Sequence, residues 1–128
     1  MSDLKSVLKA DPTAWLLEKD DPSIRYFTLT DIQGKLETDF EVKKAKDVIM
    51  KIGLVPEILA KQNIKGYWGT PKSYYSAKYR GTIWQLLILA ELGADGKDKR
   101  VKKSCEFILE NSQDHESGGF SMDSSIRT

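Results

Sequence analysis

Residues 23–50 read SIRYFTLTDIQGKLETDFEVKKAKDVIM, and residues 82–109 read TIWQLLILAELGADGKDKRVKKSCEFIL. Laid over one another at an offset of 59 positions, they pair Ile24 with Ile83, Gly34 with Gly93, Asp39 with Asp98, Val42 with Val101 and Ile49 with Ile108. Lys43-Lys44 falls on Lys102-Lys103, and residue classes agree at Ala45 with Ser104, Val48 with Phe107 and Met50 with Leu109. Apolar residues recur three and four positions apart on both sides of the glycine, the period of a helix with one buried face. Each stretch therefore predicts a helical hairpin: a mostly buried helix, a turn ended by glycine, and an amphipathic helix opened by aspartate. Chance likeness between two amphipathic hairpins is the competing explanation. The shared Asp-x-x-Val-Lys-Lys and the gapless register argue against it.

Outward from these hairpins the punctuation is local and clear. Asp11-Pro12 and Asp21-Pro22 each set a capping carboxylate before a proline whose φ is already helical, which predicts two helix starts. The first opens a short segment with Trp15, Leu16 and Leu17, and the second opens a helix from Ser23 to Ile32. Thr38 with Glu41 fits a capping box. It leads into Val42, Ala45, Val48, Ile49 and Ile52 as one inward stripe, closed by Gly53. A short helix is expected over Pro56 to Gln62, with Pro56 in its first turn.

Residues 66 to 81 form an aromatic connection. The helix from Thr82 to Leu92 is apolar on nearly all faces and predicts burial between other elements. Asp98 to Asn111 is amphipathic, with Val101, Cys105, Ile108 and Leu109 inward. The polar tail from Ser117 is expected to fray. The whole reads as one all-α domain over 1–128: an N-terminal helical segment 2–20, repeat one 22–68, repeat two 81–120 and a polar tail 121–128.

The chain has 128 residues with 40% apolar content, enough for one core. Its 20 Lys and Arg balance 19 Asp and Glu to a formal net charge of +1, which gives no pull toward nucleic acid. The N-terminal residues lack the apolar run of a signal peptide, and no stretch is long enough to span a bilayer, so a cytoplasmic protein is expected. One cysteine, Cys105, and one histidine, His115, leave no ordinary Cys/His zinc set. No metal site, cofactor or catalytic constellation is expected.

Each hairpin is followed by glutamine and then a glycine-aromatic pair, Gln62-Asn63-Ile64-Lys65-Gly66-Tyr67-Trp68 and Gln113-Asp114-His115-Glu116-Ser117-Gly118-Gly119-Phe120. This pattern resembles the QW-type repeats of the squalene cyclase and protein prenyltransferase superfamily. The resemblance implies an incomplete α/α toroid in which Gln62, Gly66, Gln113, Gly118 and Phe120 are structural residues tying successive hairpins together, with Trp68 the first copy's aromatic. A HEAT-like α-α array is the alternative architecture, suggested by Asp21-Pro22-Ser23-Ile24-Arg25-Tyr26. The cyclases' Asp-rich protonating element has no match here; the nearest are Asp20-Asp21, Asp95 and Asp98. Nor is the zinc-ligand set of the prenyltransferases matched. The end of the chain soon after Gly118-Gly119-Phe120 suggests an array of which this is a piece.

Half of the twelve aromatics lie at Tyr67, Trp68, Tyr74, Tyr75, Tyr79 and Trp84, and these are the candidate ligand- or partner-binding residues, since Tyr and Trp give large contact area at small entropic cost. Packing of a long connection onto the helices explains them equally well, and Trp84 also reads as a core tryptophan with its indole N–H paired. The basic run Lys97, Lys99, Arg100, Lys102 and Lys103 reads as a solvated helix face. Two functional classes follow. One is a noncatalytic helical-repeat module that binds a protein, peptide or apolar ligand and can self-associate through open repeat ends. The other is a fragment of an enzyme related to isoprenoid cyclases or prenyltransferases.

Overall fold

A computed structural model describes residues 9–121. It is all-α: α1 is Thr13–Leu16, α2 is Pro22–Phe27, α3 is Phe40–Ile49, α4 is Leu54–Ala60, α5 is Thr82–Glu91 and α6 is Lys99–Ser112. A π-helical turn, Thr28–Ile32, continues α2, and a 3₁₀ turn, Lys78–Arg80, precedes α5. Among the described residues the only β pairing is an isolated bridge between Gln113 and Phe120. No helix among them is long and apolar enough to cross a membrane. The described chain groups into two compact units, residues 9–56 with Leu92–Ala94, and Glu57–Glu91 with 95–121.

In the first unit, Asp21 caps α2 by accepting from the Ile24 amide at 3.1 Å, with Pro22 at the first helical position. The helix then widens. Thr28 Oγ1 donates to the Ile24 carbonyl at 2.7 Å and Thr30 Oγ1 to the Tyr26 carbonyl at 3.2 Å, so two hydroxyls engage carbonyls of the helical ladder where it turns from α to π. After Gly34, at φ +67°, the chain runs to α3. The cap of α3 is Asp39, whose carboxylate accepts from the Glu41 amide at 2.8 Å, one residue later than the capping box that Thr38 suggested.

The core of this unit is Tyr26, Leu29, Val42, Ala45, Ile49 and Val55, all buried. Gly93 approaches it so closely that a Cβ there would meet Ile49 and Phe27 side-chain carbons at 3.3 Å. Ser23 Oγ donates to the Leu92 carbonyl at 2.6 Å.

In the second unit, Asp98 caps α6 through the Arg100 amide at 2.8 Å, as Asp39 caps α3. The inward stripe of α6 is Val101, Ser104 and Ser112, with Ile108 half-buried. Two positions expected inside are outside: Cys105 is exposed and Leu109 is 47% exposed. The reason is polar. Ser104, with no exposed surface, accepts from Gln62 Nε2 at 2.5 Å and donates to the Gly66 carbonyl at 2.6 Å, which rotates Cys105 one position out. Likewise α5 is not buried on all faces. Only Thr82 and Leu89 are fully buried, and Leu87 is 51% exposed.

The two glutamine-glycine-aromatic segments fold into related turns, the second wider by one residue. In the first, the Asn63 amide donates to the Tyr67 carbonyl and the Gly66 amide to the Asn63 carbonyl, both at 2.8 Å, while Asn63 Oδ1 accepts from Lys65. In the second, one residue longer, the Asp114 amide donates to Gly119, the Gly118 amide to Asp114, both at 2.8 Å, and the Asp114 carboxylate accepts from Ser117. Ser112 and Ser121 are paired beyond it, so the tail is tied down as far as Ser121; the rest of the expected fraying segment lies outside the described residues.

Candidate functional site

The six aromatic candidates separate by burial. Trp68 and Tyr74 belong to the core of the second unit, at 5% and 0% exposure, and cannot meet a partner without opening it. Their polar atoms are used internally: Trp68 Nε1 donates to the Ile58 carbonyl at 2.8 Å, and the Tyr74 hydroxyl lies 3.3 Å from the Asn111 carbonyl and 3.0 Å from Ser121 Oγ. Tyr67 packs on Phe107, ring centroids 5.3 Å apart.

The other three aromatics form one cluster. Tyr75 stacks on Trp84 at 5.6 Å and Tyr79 leans on it at 5.2 Å, with the indole N–H donated to the Tyr75 carbonyl. Lys78 and Tyr79 hold positive φ, +33° and +24°, a conformation costly for residues with a Cβ. Gln85 Nε2 donates to the Tyr79 carbonyl and anchors that bend. The three rings form a stacked aromatic ledge.

Of the repeat residues, Gln62 bridges to α6, donating to the Arg100 carbonyl at 2.8 Å as well as to Ser104. Gly66 has φ +99°, and a Cβ would lie 2.8 Å from the Lys103 carbonyl oxygen, so no other residue fits. Gln113 Nε2 donates within its own turn to Gly118 at 3.4 Å, and Phe120 is 58% exposed. Every fully buried side-chain nitrogen and oxygen among the described residues has a hydrogen-bond partner, which marks this polar interior as structural.

A concave feature lies in the first unit, lined by none of the aromatic candidates. A groove of about 410 Å³ runs between α2 and α3. Pro22, Ala45, Val48 and Ile52 form its apolar wall, and Phe40, 77% exposed, stands at its rim. Lys19, Arg25 and Lys44 line it with three positive charges against the single carboxylate of Glu41. That carboxylate pairs with Lys35 at 3.3 Å, so cations outnumber carboxylates along the groove. Arg25 is oriented by donation to the Leu17 carbonyl at 2.6 Å. The volume falls within the usual span of binding sites, about 300–1,000 Å³.

Sequence reasoning missed this groove by counting Val48 and Ile52 into the core stripe of α3. The available signal was a second row, Phe40, Lys44 and Val48 on α3 with Ile52 just past its end, each four residues from the last. On the opposite side of the hairpin Tyr26 is a structural anchor. Its hydroxyl donates to Glu37 at 2.5 Å, Lys46 Nζ sits 4.7 Å from its ring centre, and burial followed by the Glu37 bond and charge pushes its pKa up to about 12.

Other titrating groups serve turns and caps. Arg100, hydrogen-bonded to the Asp98 cap, holds that carboxyl below the usual carboxylate range, and the Ser117 hydroxyl and amide do the same for Asp114. Cys105 and His115 are both exposed, and no cluster of three or more His, Cys, Asp or Glu able to hold a metal ion occurs among the described residues. Comparison with family models, with curated proteins and with solved structures gives no match for this chain.

Proposed function

We propose that this chain is a noncatalytic helical-hairpin module that binds a partner in the groove between α2 and α3. The observation that carries the reading is the groove itself: an apolar wall with an exposed phenylalanine on one rim, lined by three cations and one carboxylate that is ion-paired to Lys35. Apolar walls with a few placed polar groups are the common form of a binding site. No arrangement of nucleophile, base and oxyanion donors accompanies it among the described residues.

The architecture we propose around it is a hairpin repeat like that of the α/α toroids. Supporting this are the two Asp-capped amphipathic helices and the two related turns at Asn63 and Asp114. In the first copy the aromatic is sealed in and the glutamine reaches across to α6, whereas the second copy presents Phe120 outward. A further hairpin placed on that turn would cover Phe120 as Trp68 is covered.

Amide chemical-shift mapping with the anionic dye anilinonaphthalene sulfonate tests the binding reading. Shifts concentrated at Phe40, Lys44, Val48 and Ile52, and lost in a Phe40→Ala variant, support it. Shifts confined to other surfaces refute it.

A further inference from the structure

We infer that the groove takes an acidic amphipathic helix of a partner protein, an inference that rests on reading the groove as the binding site. The row Phe40, Lys44 and Val48 covers about 12 Å along α3 at the helical rise, and Ile52 extends it, so the trough matches a partner helix of about three turns. Such a helix lays anchors at i, i+4 and i+7 along one apolar stripe into a groove of this kind.

Charge chooses the partner's flanks. Lys19 and Arg25 stand on one side of the trough and Lys44 on the other, in the middle of its apolar row. A single-headed amphiphile, such as a long-chain carboxylate, concentrates its charge at one end and would leave at least one of these cations beside its alkyl chain. A helix with carboxylates along both edges of an apolar stripe meets all three. A second copy of this chain fits poorly, because the exposed residues of α3 and α6 intersperse Lys43, Lys44, Lys99, Lys102 and Lys103 with Glu41, Asp47, Glu106 and Glu110, so neither helix offers an apolar stripe edged by carboxylates alone. Complementary charge raises association rate and selects against basic partners, and its contribution falls as salt is added.

The test uses the full chain and three probes: a fluorescent helical peptide of about four turns with leucine at i, i+4, i+7 and i+11 flanked by glutamate, the same peptide with lysine flanks, and dodecanoate. Anisotropy gives affinity, and amide shifts give the place. The glutamate peptide is expected to bind at least about tenfold tighter than the lysine peptide, with shifts at Lys44, Val48 and Ile52 and weaker binding at high salt. Lys44→Glu and Phe40→Ala, both at exposed positions, should each lower its affinity about fivefold or more, while Lys102→Glu on α6 should leave it unchanged. Equal binding of the two peptides, shifts away from the groove, or occupancy by dodecanoate without peptide binding overturns the inference. Dye bound in the groove with no peptide binding defeats the acidic-helix inference alone. No probe or dye in the groove defeats the binding reading with it.

Discussion

Ser104→Ala, read together with Gln62→Ala, probes the link on which the second unit turns. Ser104 Oγ is fully buried, accepts from Gln62 Nε2 at 2.5 Å and donates to the Gly66 carbonyl at 2.6 Å. Removing the hydroxyl leaves Gln62 its second acceptor, the Arg100 carbonyl at 2.8 Å, but leaves the Gly66 carbonyl without that donor. A buried acceptor deprived of its donor costs about 1–3 kcal/mol, so Ser104→Ala is expected to destabilise by about 2 kcal/mol. Gln62 is only half-buried, and its truncation loses two bonds worth about 1 kcal/mol each at most. Because both residues share one bond, the double variant should fall short of the sum by about 0.5–1.5 kcal/mol. Urea unfolding of the four proteins measures this. A Ser104→Ala cost under about 0.3 kcal/mol, or strict additivity, refutes the idea that this bond fastens the first turn to α6.

Gly66→Ala should be worse than either, by more than about 2 kcal/mol, since its Cβ would press on the Lys103 carbonyl and φ is positive; thermal melts check it, and a neutral result removes the close approach. Tyr26 keeps its proton to about pH 12 when folded and to about pH 10 when unfolded, so the folded state binds more protons in that interval. The Tyr26 contribution to stability should be constant below about pH 10 and fall between about 10 and 12, and Tyr26→Phe should flatten that limb in pH-dependent unfolding. Asp98 shifts the other way: its depressed folded pKa contributes stability above the unfolded value that is lost as pH falls through the folded one. Asp98→Asn, which can still cap α6, should therefore remove part of the acid limb while costing little at neutral pH.

Signals written within a few residues of one another were legible in the sequence. Asp21-Pro22, Asp98 and the glycines at 34 and 93 mark their helix ends because a cap or a left-handed turn is decided by two to four neighbouring residues. The inward face of α6 was not legible. Ranking side chains by apolarity puts Cys105 inside and Ser104 at its edge, and the order reverses only because Gln62 and Gly66 arrive from about forty residues away with a donor and an acceptor. The partial burial of α5 was not legible either. Its sequence offers apolar groups on every side, yet only Thr82 and Leu89 are fully covered among the described residues.

The groove was hidden for a different reason. A ten-residue helix has room for two apolar rows, and hydrophobic periodicity alone reports that apolar residues are present without saying how many neighbours they serve. On α3, Val42, Ala45 and Ile49 satisfy the core of the hairpin completely. Phe40, Val48 and Ile52 are then surplus to folding, and a Lys at 44 divides them in a way that a core row would not tolerate. Aromatic density, by contrast, does not separate surface from core: it groups Trp68 and Tyr74, which the core consumes, with Tyr79, which is 70% exposed.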